Sequence, residues 1–311
     1  MTLEEILKQG ILQKATDIHL CPKTNQTQVL FRVAGKLTQF TQQSSANNLI
    51  NRLKMLSELD LSETRRCQEG QFEIRLFDAK FFIRTSIVNT SLGEKAALRI
   101  LPEKFDFTLE TLHIPSEIKQ PLYQALNKCH GLVIVCGATG AGKTTTLYSC
   151  LEHINTGDKS IFTIEDPIEF NIDDFFQCEP NKAINLDSAT LLKGFLRQDP
   201  DVIFVGELRD AQTANLAITA ALTGHLVLTT LHSNSALDAI HRLRSWQVDF
   251  FSLASSLNFV LHQKMRYDDG QRTPRFSSIC PSWTHTLPAH YDTLFQDHSH
   301  WHLWPATLQQ K

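Results

Sequence analysis

Along the chain the apolar positions change their spacing, and each change marks a boundary. Leu3, Ile6, Leu7 and Ile11 recur at helical intervals, which predicts an amphipathic helix at the start. "QTQVLFRVAGKLTQF" reads as two strands about Ala34-Gly35, and "SSANNLINRLKMLSEL" as an amphipathic helix with a serine cap. Residues 71–101 alternate in short strands broken at Asp78-Ala79 and Ser91-Gly93. A small α+β domain is therefore expected over 1–103, with a linker over 104–118.

From 119 to 311 the pattern differs. Apolar runs "LVIVCG", "KSIFTIE", "DVIFVGE" and "HLVLTTL" alternate with helical spacing near 143–155, 187–197 and 210–222. Near-continuous apolar strands between helices predict an α/β domain with a mainly parallel sheet covered on both faces. Beyond Met265 the pattern dissolves into Pro, His, Ser and Trp. His298, His300 and His302 alternate there, so a strand would put all three on one face. That tail is expected to pack as a divergent end of the domain or to dock a partner. No internal repeat is present.

Composition narrows the class. The 311 residues suit two domains, and 42% hydrophobic with 20% charged is ordinary globular material. Lys and Arg number 30 against 33 Asp and Glu, a net charge of -3, which gives no support to a non-specific nucleic-acid or membrane patch. The seven cysteines are scattered without CxxC pairs, so reduced thiols are expected and Cys136 reads as a small core residue. The acidic, amphipathic N-terminus is unlike a signal peptide, and no apolar run approaches the ~20 residues that span a bilayer. Membrane association is expected through a partner.

The chemistry begins at "GATGAGKT". Gly137, Ala138, Thr139, Gly140, Ala141, Gly142, Lys143 and Thr144 match G-x-x-x-x-G-K-[ST] between an apolar strand and a helix, with Thr145 following. The glycines let successive N–H groups point into one concavity, and the helix adds its positive end, which makes a phosphate seat. Lys143 is expected on the β- and γ-phosphates of ATP and Thr144 on Mg²⁺. "TIEDPIEF" then puts Glu165, Asp166 and Glu169 at the end of a second strand, where carboxylates face the ligand crevice. "DVIFVGELRD" ends a third strand in Gly206-Glu207. The glycine would let the longer Glu207 carboxylate sit back from the metal and hold a water. In "TGHLVLTTLH", His232 stands at the C-terminal end, suited to sensing the γ-phosphate, while His225 is as readily structural.

These four segments in this order resemble the boxes of the secretion and pilus-assembly ATPases: the Walker A loop, the aspartate box, an atypical Walker B ending in Gly-Glu, and the histidine box. "ATDIHLCP", "FRVAGKL" and "RTSIVNTSLGEKAALRIL" resemble the family's N-terminal domain, so the likeness runs over roughly residues 14–265. The resemblance implies a RecA-like P-loop NTPase domain with a smaller N-terminal α+β (PAS-like) domain, assembled as a homohexamer. It implies a cytoplasmic protein at the inner face of the membrane that acts on a polytopic platform protein; direct specific nucleic-acid binding is not expected, since the charge is slightly acidic and no basic aromatic stripe is present. It also implies that Arg84 and Arg99 neutralise the nucleotide phosphates, and that Arg197 and Arg209 serve subunit contacts or phosphate sensing.

Three departures bear on the branch. Cys21 replaces the acidic residue that follows "DIH". Cys280 is the one cysteine beyond Cys178, so no paired-CxxC zinc site is expected. The chain starts almost directly at the "SDIH" domain, and longer members carry further N-terminal domains. The resemblance then points to the competence pseudopilus ATPases that serve DNA uptake. Pilus retraction is one alternative, and a nucleotide-regulated scaffold with little turnover is another.

Overall fold

The structure is a computed structural model that describes residues 2–24, 26–40, 46–102, 107–181, 184–268, 271–283 and 287–305. The chain divides into two compact units, Met1–Phe105 and Asp106–Lys311.

The first unit holds α1 (Leu3–Leu12), β1 (Ala15–Lys23), β2 (Gln26–Val33), β3 (Lys36–Phe40), α2 (Ala46–Leu56), β4 (Gln68–Leu76), β5 (Ala79–Thr90) and β6 (Gly93–Pro102). Thr2 and Glu5 form a capping box that starts α1 where the apolar spacing begins. The serines expected to cap the second helix lie outside the described residues. The six strands form an antiparallel sheet in the order β3-β2-β1-β6-β5-β4. Alternation along the strands sends Ile18, Leu20, Val29, Phe31, Ile83, Ile87, Ala96 and Leu98 into one core with Ile6 and Leu7 of α1 and Leu53 of α2. Lys54 is wholly buried beside that core. It donates to the Glu63 carbonyl at 2.8 Å and pairs with Glu94 at 2.7 Å, so the buried charge is matched.

The second unit runs α3 (Ser116–Leu126), β7 (Gly131–Cys136), α4 (Lys143–Ile154), β8 (Ile161–Ile164), β9 (Phe175–Cys178), α5 (Ser188–Phe195), β10 (Val202–Val205), α6 (Ala211–Leu222), β11 (Leu226–Leu231), α7 (Ala236–Ser245), α8 (Phe250–Ser256), β12 (Leu257–Asp268), β13 (Gln271–Pro281), α9 (Tyr291–Gln296) and β14 (Trp301–Trp304). Its sheet has the order β14-β13-β12-β7-β11-β10-β8-β9. The run from β12 to β9 is parallel, and β13 and β14 add an antiparallel margin. Every residue of β7, β10 and β11 is buried, which requires helices on both faces.

One expectation changes here. The stretch read as linker belongs to the second unit from residue 107 onward: Leu109, Leu112 and Ile114 are buried, and α3 begins at Ser116. The described part of the tail packs into the domain, the first of the two expectations for it, with Leu294, Trp301 and Leu303 in the main core. Its histidines do not share a strand face, because His298 and His300 lie in a short 3-10 turn and His302 lies in β14. The strand signal was lost because β13 and β14 sit at the sheet margin, where polar residues are tolerated on the wet side.

Candidate active site

The sheet order sets the site. The strands β7, β11, β10 and β8 are immediate neighbours, and each ends in one of the residues singled out in the sequence. The glycine loop follows β7, His232 follows β11, Glu207 lies two residues past β10 and Glu165 follows β8. Parallel strands stand about 4.8 Å apart, so the four groups form a row across the carboxyl edge.

At one end of the row, Gly137, Gly140 and Gly142 take φ of 148°, 74° and 87°, values that a side chain would strain. The loop therefore folds back onto the N-terminus of α4. Ala138, Thr139 and Gly140 are exposed at its tip, Ala141 is buried, and Thr144 and Thr145 are half-buried in the first turn. Lys143 is buried, and its Nζ donates to the carbonyls of Gly137 at 2.9 Å and Ala138 at 3.0 Å. Burial pushes its pKa down, against the attraction of Glu207. Gln263 of β12 braces the loop from beside it and accepts from Thr146 Oγ1 at 2.7 Å. Sequence reasoning passed over Gln263, which lies more than a hundred residues from the loop.

His232 bridges the loop to the third strand. Its Nδ1 lies 3.4 Å from Lys143 Nζ and 3.2 Å from the Gly137 carbonyl, and its Nε2 lies 3.1 Å from Glu207. Arg209 joins from the other side, at 2.9 Å from Glu207 and 2.8 Å from Asp166. Asp210 accepts from the Thr213 N–H at 2.7 Å and caps α6, so the "GELRD" turn is fixed at both ends. Gly206 has a different reason from the one read in the sequence. A Cβ there would stand 2.9 Å from the Ile164 carbonyl oxygen, so the glycine lets the ends of β10 and β8 close on each other. His225 Nδ1 lies 3.0 Å from the Ala220 carbonyl, to which it can only donate, in the turn before β11, a structural place away from the row.

Glu165 ends the row and is 3% exposed. It accepts from Tyr148, from Thr163 Oγ1 at 2.6 Å and from Gln177 Nε2 at 3.0 Å. Burial raises its pKa, and these three donors oppose that rise. Tyr148 and Gln177 carried no motif signal, since their meeting with Glu165 depends on the helix and edge strand folding around it.

Arg84 and Arg99 belong to the first unit and stand directly opposite one another on β5 and β6. Arg99 donates to Asp17 at 2.9 Å, and Arg84 pairs with Glu69 at 3.4 Å. Arg197 is exposed after α5. All seven cysteines are free, and burial pushes the Cys136 thiol up to about 12, as suits a core position. Among the described residues no three His, Cys, Asp or Glu side chains converge as a metal cluster, and no helix is long and apolar enough to cross a membrane.

Residues 1–275 match the family model described as Type II/IV secretion system protein. Type II secretion system protein E of Klebsiella pneumoniae is 37% identical over 297 residues, which is 94% of this chain and 58% of that protein. The type IV pilus assembly ATPase PilB of Acinetobacter baylyi is 39% identical over 267 residues, 85% of this chain and 46% of that one. The chain spans about half the length of the curated relatives it matches. Among solved structures, the pilus retraction motor PilT with bound ADP is similar at a TM-score of 0.77 and 29% identity, covering 91% of this chain and 84% of its own. The Legionella pneumophila ATPase DotB, at 0.76 and 22% identity over 90% of this chain and 81% of its own, is alike in fold. The fold they share is that of the RecA-like P-loop ATPases.

Proposed function

Because the chain belongs to the type II/IV secretion system protein family, we propose that it is an ATP-hydrolysing motor that drives assembly of a pilus-like fibre. The reading rests on the row Lys143, His232, Glu207, Glu165 along four adjacent strand ends. Lys143 in that row is a buried ammonium whose hydrogen-bond partners are neutral carbonyls and an imidazole. A buried cation of this kind suits an anionic ligand, and the glycine loop beside it offers N–H groups to the β- and γ-phosphates.

Thr144 and Glu207 are hard oxygen donors, and a site with one or two side chains plus substrate phosphates suits Mg²⁺. When bound, that ion would supply charge neutralisation to the phosphoryl oxygens. Glu165 is assigned as the base. A carboxylate has about four lone-pair sites, and the three donors leave one to face an attacking water. Its raised proton affinity favours taking the proton. Glu207, held between His232 and Arg209, orients the water from the neighbouring strand, and His232 reports phosphate occupancy to it. Arg84 and Arg99 are assigned to phosphate charge, and each would exchange its present carboxylate for it.

In this proposal the working form is a homohexamer on the cytoplasmic face of the membrane, turning a polytopic platform protein. The fibre is a competence pseudopilus for DNA uptake. Pilus retraction is the second reading, favoured by the likeness to PilT. Deleting the protein separates them: loss of the fibre indicates assembly, and over-extended fibres indicate retraction. The chemistry is tested by phosphate release from Lys143→Ala, expected to fall to background. Normal turnover by that variant would sink the site assignment.

A further inference from the structure

We propose that Tyr148 is a positioning residue for Glu165, its hydroxyl holding the carboxylate at the angle from which it meets water. The idea rests on the ATPase reading for its kinetic consequences and on geometry for the rest.

Tyr148 lies on α4, the helix that begins with Lys143. Its side chain is wholly buried, with the ring edge-on to Phe170 at 5.6 Å and to Phe204 at 6.1 Å. Two aromatic walls leave the phenol little freedom, so its O–H direction is set by packing. That O–H donates to Glu165 Oε2, while Gln177 Nε2 approaches the phenol oxygen at 3.3 Å and the other carboxylate oxygen at 3.0 Å. Gln177 is itself held, accepting from the Ile172 N–H at 2.8 Å. Burial pushes the Tyr148 hydroxyl far above its ordinary value, so the proton stays on the phenol and the donor role is permanent. Lys143 and Tyr148 share one helix, so the phosphate seat and the carboxylate's phenol donor keep a fixed spacing.

A structural tyrosine and a positioning tyrosine differ in what its loss does to Glu165. The phenol hydrogen bond opposes the rise in the Glu165 pKa caused by burial. Tyr148→Phe should therefore lower kcat at least tenfold with KM for ATP near wild type, and move the acid limb of kcat to higher pH. Biosynthetic 3-fluorotyrosine makes the phenol a stronger donor without altering the packing, and should move the limb to lower pH. A carboxyl-¹³C titration of Glu165, assigned through Glu165→Gln, reads the same two shifts without turnover. A chain that shows those shifts and releases no phosphate would refute the ATPase reading alone. Unmoved titrations in both the fluorinated protein and a folded Tyr148→Phe would overturn the positioning role.

Discussion

A methyl group on Gly206 would press against the Ile164 carbonyl oxygen at 2.9 Å, and neither strand can step aside without breaking its pairing. Gly206→Ala is expected to cost about 1–3 kcal/mol as overpacking, measured by denaturant melting, with phosphate release reduced because Glu165 and Glu207 flank the contact. A second residue effect concerns acid. Burial would raise the Asp17 pKa, yet the Thr16 hydroxyl and the Arg99 guanidinium outweigh it, and the carboxyl lies below its ordinary value of 3.8. A lowered carboxyl pKa stabilises the fold above the unfolded value and loses that contribution as pH falls through the folded one. Asp17→Asn should thus be less stable than wild type at neutral pH, and the gap should close below pH 3.8 in a pH-resolved thermal melt. At this scale the sequence was legible where chemistry is local. The glycine loop announces itself in eight residues, whereas Gly206 is explained by a strand forty residues earlier. Tyr148, Gln177 and Gln263 are explained by partners that spacing does not reveal.

Among the elements, the buried parallel strands were readable because burial on both faces leaves no room for polar residues, as in β7 and β11. The marginal strands were not. β13 and β14 mix Arg, Ser, His and Trp, since one side meets water, and α9 spans six residues, too few for a helical period to show. Yet this end matters for stability. Leu294 is 1% exposed, and Trp301 donates its indole N–H to the Leu294 carbonyl at 2.9 Å. Leu294→Ala should cost about 2–5 kcal/mol through the cavity it leaves, a drop that calorimetry would register even though the nucleotide loop is untouched.

For the whole molecule, the two units carry separate hydrophobic cores, one around α1, α2 and the antiparallel sheet, the other around the parallel sheet. Each core has the makings of an independent domain. A chain of residues 106–311 is expected to fold alone and to bind a fluorescent ATP analogue, while lacking the acid-sensitive contribution of Asp17. Failure to melt cooperatively would count against that division.

The row of strand ends also has a history in time. On the ribosome the glycine loop emerges first, then Glu165, then Glu207, yet in space His232 lies between the loop and Glu207. β11 must therefore slot between β7 and β10 after both have been synthesised. The glycine loop, Glu165 and Glu207 are all synthesised while the sheet still has a gap at its centre. A nascent chain stalled before residue 226 would carry the glycine loop, Glu165 and Glu207, yet lack both His232 and the strand that draws the others into a row. The last strand to arrive in the middle is the one that turns a list of motifs into a machine.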